Sequence, residues 1–184
     1  MDQKTEAEIV IRVLKGDRQA YALLVEEYKT PIYNLAYRMT NNVEDAEDMA
    51  QETFLRSFRE LSRYDTNRRF YTWLYTISLN LIRNYLKKTG FRKNDSRNAN
   101  VSSDVETIAL READDADMSH KDREKQIEIC LQKLSTELRE LLVLRFYQGL
   151  SFEEIAVITG LSQSAVKMRV YRGLEKLRKY IQKM

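Results

Sequence analysis

The sequence predicts an all-α chain: two small helical domains joined by a flexible acidic linker, the second containing a helix-turn-helix. Three observations carry that reading. The 184 residues include one Pro and five Gly, against ordinary shares of roughly 5% and 7%, and Leu, Glu, Arg, Lys and Ala, all good helix formers, dominate. Apolar residues recur at helical spacing in two blocks, 1–93 and 126–184, while 94–125 holds only isolated ones. Charge divides at the same places, with net +3, −4 and +4 along the chain, so the overall +3 hides two basic domains and an acidic tether.

Composition also excludes several classes. The chain is too short for a barrel enzyme. One Cys and one His rule out a disulfide framework and a zinc ligand cluster. No glycine-rich phosphate loop or coherent metal-carboxylate site is present, so neither metal nor cofactor is expected. The charged start and the lack of 18 consecutive apolar residues predict a cytoplasmic protein, and no repeat of solenoid length occurs.

In the first domain, Gly16-Asp17 marks a boundary, with Asp17 as a cap. The helix that follows has an apolar face of Ala20, Leu23, Leu24, Tyr28 and Ile32. Pro31 predicts a kink or split near Thr30, and Asn41-Asn42 ends the pattern. The next segment, VEDAEDMAQETFLRSFREL, sets Ala46, Met49, Ala50, Phe54, Phe58 and Leu61 on an inward stripe, with Asp45, Asp48, Gln51 and Glu52 opposite. First-turn acids suit the helix dipole, but that account weakens at Glu52, and the ridge equally suits a protein partner or bare solvent.

The third segment, SRYDTNRRFYTWLYTISLNLIRNYLKKTGFRK, opens as a polar loop and becomes a helix with Phe70, Trp73, Leu74, Ile77, Leu81 and Tyr85 facing inward. Its other side interleaves Arg63, Arg68, Arg69, Arg83, Lys87, Lys88, Arg92 and Lys93 with Tyr64, Tyr71, Tyr75, Asn80 and Asn84. Cations neutralise phosphates while rings and amides meet unpaired bases. Tyr64, Asn67, Arg68, Asn80 and Arg83 are the sharper candidates; Trp73 at helical spacing also suits the core.

Residues 94–125, rich in Asp, Asn and Ser, read as a tether or an acidic arm that docks on a basic channel. Beyond them, Ser135, Thr136 and Glu137 are capping candidates between two helical patterns, and Cys130 fits a buried small hydrophobe. Ser151 with Glu154 forms a capping box, Thr159-Gly160-Leu161 a short turn, and Ser162 starts a long helix. Ile155, Ala156, Ile158, Leu161, Val166, Val170, Leu174 and Leu177 place two helices across a small apolar contact, which is helix-turn-helix grammar. From Gln163 onward seven basic residues meet one acidic residue, a face suited to the major groove. Gln163, Ser164 and Lys167 stand nearest the bases, while Arg169, Arg172 and Lys176 suit phosphates.

Both halves together resemble the extracytoplasmic-function (group IV) RNA polymerase sigma factors of the sigma-70 family. DAEDMAQETFLRSF resembles the family's core-polymerase-binding helix. FYTWLYTISLNLIRNYLKK resembles its promoter-melting and minus-10 helix, and SFEEIAVITGLSQSAVKMRVYRGLEKLR its minus-35-reading helix-turn-helix. The resemblance implies a region 2-like domain over 1–93, a linker over 94–125 and a region 4-like domain over 126–184. It implies a core-polymerase contact at Asp45, Asp48, Gln51, Glu52 and Phe54, and a minus-10 surface at Tyr64, Asn67, Arg68, Arg69, Tyr71, Trp73, Asn80, Arg83, Asn84 and Lys87. Tyr64 through Arg69 would form or flank the loop that captures a flipped non-template base. The minus-35 surface would comprise Ser162, Gln163, Ser164, Lys167, Arg169, Arg172 and Lys176.

Asn84 stands where the family often has Asp, and Thr136 where Pro is common. The implied partners are core RNA polymerase, through its beta-prime clamp and beta flap, promoter DNA, and a membrane-linked anti-sigma factor that holds the protein near the membrane until external stress; no stable homo-oligomer and no covalent catalysis are expected. The residues alone leave open a two-domain helix-turn-helix regulator that acts without polymerase.

Overall fold

The computed structural model describes residues 1–96 and 120–183, and all regular structure among them is helical. The first half comprises α1 (Gln3–Leu14), α2 (Tyr21–Thr40), α3 (Val43–Arg59) and α4 (Phe70–Ser96). The second comprises α5 (His120–Gln132), α6 (Thr136–Leu142), α7 (Phe152–Thr159) and α8 (Gln163–Ile181), with a π-helical stretch at Val143–Tyr147 after α6. α4 and α5 therefore reach past the expected tether boundaries at both ends, while most of the acidic tether falls outside the described residues.

Local chemistry explains the starts and stops. Asp2 caps α1 by accepting the Thr5 N–H at 2.9 Å, and Asn42 caps α3 by accepting that of Asp45 at 3.0 Å. Asp17 caps a short 3-10 turn, Arg18–Ala20, that leads into α2. Asn41 ends α2 in the left-handed region at φ 55°, a conformation asparagine tolerates. Of the expected kink or split at Pro31, the split does not occur: α2 runs unbroken from Tyr21 to Thr40. A mid-helix proline costs about 3 kcal/mol. Beyond it Ile32, Leu35, Ala36 and Met39 are fully buried, and each large apolar side chain returns about 1.5–3 kcal/mol, so burial outweighs the lost hydrogen bond.

In the first half, α2, α3 and α4 pack around Leu24, Ile32, Leu35, Leu74, Leu79 and Ile82. The inward face of α3 is wider than the expected stripe. Ala46 and, just after the helix, Leu61 are buried, and Met49, Ala50 and Phe54 pack against the core as expected. Thr53 and Ser57 are fully buried beside them, and Phe58 lies at the edge, 36% exposed with its ring 5.0 Å from that of Tyr21. Positions 46, 50, 53 and 57 follow the 3.6-residue repeat, and the buried hydroxyls are satisfied locally, Thr53 donating to the Met49 carbonyl at 2.6 Å and Ser57 to that of Phe54 at 3.0 Å.

The second half packs α6, α7 and α8 around Leu141, Leu142, Val143, Leu144, Ile155, Val166 and Val170, with Cys130 buried nearby. Burial pushes the Cys130 thiol up, which suits a small core hydrophobe. The α6–α8 crossing depends on Gly173. A Cβ there would lie 3.2 Å from Leu142 Cγ and 3.3 Å from both of its methyls. Gly173→Leu is expected to destabilise this half by about 1–3 kcal/mol through overpacking, read as a lower Tm in thermal melts followed by circular dichroism.

The halves dock on one another, α4 against α7 and α2 against α6, in one continuous apolar cluster. Arg139 pins the α5–α6 corner to the end of α2, donating to the carbonyls of Met39 at 2.9 Å, Gln132 at 2.8 Å and Leu131 at 3.1 Å. The Arg38 guanidinium covers the Tyr147 ring at 3.9 Å.

Candidate nucleic-acid interface

On the second half, Ser151 and Glu154 close the expected capping box, with bonds of 2.7 and 3.1 Å, and Gly160 ends α7 at φ 71°. Ser162 then starts α8 by accepting the Ala165 N–H at 3.3 Å. Val166, Val170 and Gly173 face the core, which leaves Gln163, Ser164, Lys167, Arg172 and Lys176 exposed with Ser162 at the helix start.

Arg169 departs from this set. Two residues advance the chain by about 200° around a helix, so Arg169 lies across α8 from Lys167. It is half-buried and lines a groove of about 370 Å³ with Arg83, Lys87, Glu137 and Glu140. The middle of the exposed face is instead occupied by Met168, 71% exposed, and Tyr171, 63% exposed. Sequence reasoning missed both, although Tyr171 follows Lys167 by four residues and shares its side of the helix. Large exposed apolar surface on a basic helix is a binding feature.

On the first half, Asn67, Arg68 and Arg69 are exposed in the loop before α4, and Asn80, Asn84 and Lys87 are exposed along it. Asp65 shapes the loop, its Oδ1 accepting from the backbone N–H and the side-chain amide of Asn67, both at 3.0 Å. Tyr64 is buried, with its ring 5.4 Å from both Phe70 and Trp73, and burial pushes its hydroxyl up to about 12. It supports the loop from below and presents no open ring. Trp73 is half-buried between these two roles.

The other candidates on α4 meet the second half of the chain. The Tyr71 hydroxyl donates to Glu154 Oε1, and burial followed by this carboxylate pushes it up to about 12. Burial works to raise Glu154, but the bonds from Tyr71 and Ser151 outweigh it and hold that carboxyl below its ordinary value. Tyr75, expected on the open side, is 4% exposed and donates to Gln148 Oε1 at 2.6 Å. Arg83 forms a two-pronged ion pair with buried Glu140, Nε to Oε2 at 2.8 Å and Nη2 to Oε1 at 2.5 Å. The Glu140 bond, the largest cause, raises Arg83 above its ordinary value. The face that the sequence assigns to the minus-10 element is thus partly closed by the second half.

A separate acidic ridge runs along α3. Asp48 and Gln51 are exposed, and Asp45, Glu52 and Phe54 are half-buried. Leu55 and Phe58, 45% and 36% exposed, extend the ridge by one and two turns, an apolar component of which the helical spacing predicts Phe58 to face inward. Among the described residues no His, Cys, Asp and Glu group could hold a metal ion, and no helix is long and apolar enough to cross a membrane.

Residues 24–92 match the family model of Sigma-70 region 2 and residues 124–177 that of Sigma-70, region 4. The chain is 32% identical to the RNA polymerase sigma-H factor of Pseudomonas aeruginosa, over 99% of this chain and 96% of that protein. It is 36% identical to the ECF RNA polymerase sigma factor SigW of Bacillus subtilis, over 92% and 93%. The fold is shared with CnrH, solved with the cytosolic domain of CnrY, at a TM-score of 0.71, 24% identity and 97% coverage of each chain. It is shared also with the sigma factor RpoE of Bartonella quintana, solved with the anti-sigma factor NepR, at a TM-score of 0.69 and 22% identity over 88% of this chain and 96% of that one. With both sigma regions in order and full-length relatives above 30% identity, the chain belongs to the ECF sigma factors of the sigma-70 family.

Proposed function

We propose that this sigma factor binds core RNA polymerase through the α3 ridge, reads a minus-35 element with α8, and captures unpaired minus-10 bases with the loop before α4 and the exposed side of α4. The observation that carries the reading is the joint presence of an acidic and apolar ridge on α3 and two separate basic, amide-bearing faces on α4 and α8. The beta-prime clamp is the partner for α3, and the beta flap for the second half. Polymerase supplies the chemistry of RNA synthesis, and this chain supplies promoter choice and strand opening. Unstacking a base step costs a few kcal/mol, which contacts to an extruded base offset.

The docked arrangement is the resting state of the free chain. Arg83 pairs with Glu140 and Tyr71 with Glu154, so both side chains are occupied until the halves separate on polymerase. A membrane-linked anti-sigma factor would act by holding this closed form, keeping the sigma factor, a cytoplasmic protein, near the membrane. That RpoE of Bartonella quintana, which shares this fold, was solved with the anti-sigma factor NepR supports an anti-sigma partner.

Size-exclusion chromatography of the chain with core polymerase tests the reading. Comigration is expected, and replacing Gln51 and Glu52 with lysine should reduce it by about tenfold in affinity by adding one positive charge to the ridge and reversing one negative charge. A conventional regulator would bind duplex DNA alone and elute apart from polymerase.

A further inference from the structure

Glu6 lies on α1, far in sequence from every candidate surface, and is fully buried. Its Oε2 accepts from the Phe70 backbone N–H at 2.9 Å, and its Oε1 accepts from the Tyr28 hydroxyl. Phe70 is the first residue of α4, so its N–H is among the donors that have no partner within the helix. A carboxylate satisfies that donor and complements the positive end of the helix dipole. An unpaired carboxylate in this position would be costly to bury; paired to two donors, it fixes where α4 begins.

The same helix also reaches the loop. One turn before Glu6, Gln3 Nε2 donates to the Asn67 carbonyl at 2.9 Å. From within, the Tyr64 hydroxyl donates to the Arg68 carbonyl, and the Tyr28 ring packs 5.8 Å from that of Phe70. Backbone atoms of residues 67, 68 and 70 are therefore tied to the interior, while the side chains of Asn67, Arg68 and Arg69 remain exposed. A loop held by its backbone with its side chains free is pre-organised for a ligand, which lowers the ordering cost of binding.

We propose that Glu6 is a positioning residue for base capture: it fixes the first turn of α4 and, through it, the 64–69 loop in the geometry that receives an unpaired minus-10 base. The inference rests on the promoter-opening role proposed above. Glu6→Gln retains an acceptor for the Phe70 N–H, and the Tyr28 hydroxyl can rotate to accept from the new amide. Glu6→Ala leaves both donors without a partner. Gln3→Ala removes only the half-exposed tether to Asn67. Ile9→Ala, at a buried position on the same helix, supplies a loss of packing that removes no hydrogen bond to the loop.

The test uses full-length chain in holoenzyme with native core polymerase and two probes from a promoter mapped by reconstituted transcription. One is a fork with a single-stranded non-template minus-10 segment; the other is a duplex carrying the minus-35 element alone. Glu6→Ala is expected to weaken fork binding about tenfold while leaving duplex binding within twofold, as fits an orphaned buried donor in the loop's support. Glu6→Gln should restore most of the loss, and Gln3→Ala should weaken fork binding several-fold without lowering the Tm. Ile9→Ala should change both probes in equal proportion. Equal fork-to-duplex ratios for Glu6→Ala and Ile9→Ala overturn the positioning role. If Glu6→Ala does not fold, a Gln3→Ala ratio equal to that of the unmodified chain overturns it. Failure of the unmodified holoenzyme to prefer the fork overturns the promoter reading itself and this proposal with it.

Discussion

Replacing Lys167 and Arg172 together with glutamate is expected to abolish initiation at promoters that depend on an upstream element. Both side chains are exposed on α8, on the side away from Val166 and Val170, so the change falls on binding while stability moves by about 0.5 kcal/mol or less. Each phosphate contact contributes about 0.9 to the slope of log affinity against log salt. Arg172 is the phosphate-facing residue of the pair and Lys167 stands nearer the bases, so the slope should fall by about one. Reversing both charges adds repulsion from the backbone, so binding of the holoenzyme to a minus-35 duplex should fall about 100-fold or more at low salt. Filter binding across a salt series measures both quantities. Arg169→Glu should have a smaller effect on the same probe, because Arg169 lies in the groove across α8.

Glu140→Lys is expected to open the free chain. Glu140 is 4% exposed and holds both prongs of the Arg83 guanidinium. Removing one partner of a buried pair typically costs about 3–5 kcal/mol. Arg83 retains 31% side-chain exposure, so water recovers part of this, and about 2–3 kcal/mol is expected. That corresponds to a shift of about 30- to 150-fold from closed toward open. Small-angle scattering should record a larger radius of gyration, and amide exchange along Tyr71–Arg83 should accelerate. Combining Glu140→Lys with Arg83→Glu restores the pair in reverse and should recover most of the closed form. An unchanged scattering curve for Glu140→Lys would mean that the Tyr71–Glu154 and Tyr75–Gln148 contacts hold the halves together without the ion pair.

The parts of this architecture that rest on local chemistry were legible in the residues. The Ser151–Glu154 box, the Gly160 turn and the Ser162 cap each need particular side chains at fixed offsets, and the structure holds all three. The apolar spacing of α8 likewise placed Val166 and Val170 inward. The misplacements share a different cause. Tyr75 carries both a ring and a hydroxyl, so its side of α4 could not be settled without the partner Gln148, which lies 73 positions away in the chain. Thr53 and Ser57, which the apolar stripe leaves out, are buried because their hydroxyls are bonded within α3 and, for Ser57, also to the Tyr21 hydroxyl at 2.6 Å. The continuity of α2 through Pro31 was decided by burial against other helices, a tertiary effect that overrides local preference. Arg169 lies on the other side of α8 from Lys167, a difference that counting basic residues along the helix without their angle around it does not show.

Reconstituted transcription on sheared genomic DNA tests the central claim most directly. Core polymerase alone, the chain alone and both together are compared, and RNA 5′ ends are mapped. Starts are expected only with both components, clustered downstream of one recurring two-part sequence. A chain that binds duplex DNA alone yet adds no new start sites to core polymerase would contradict the account.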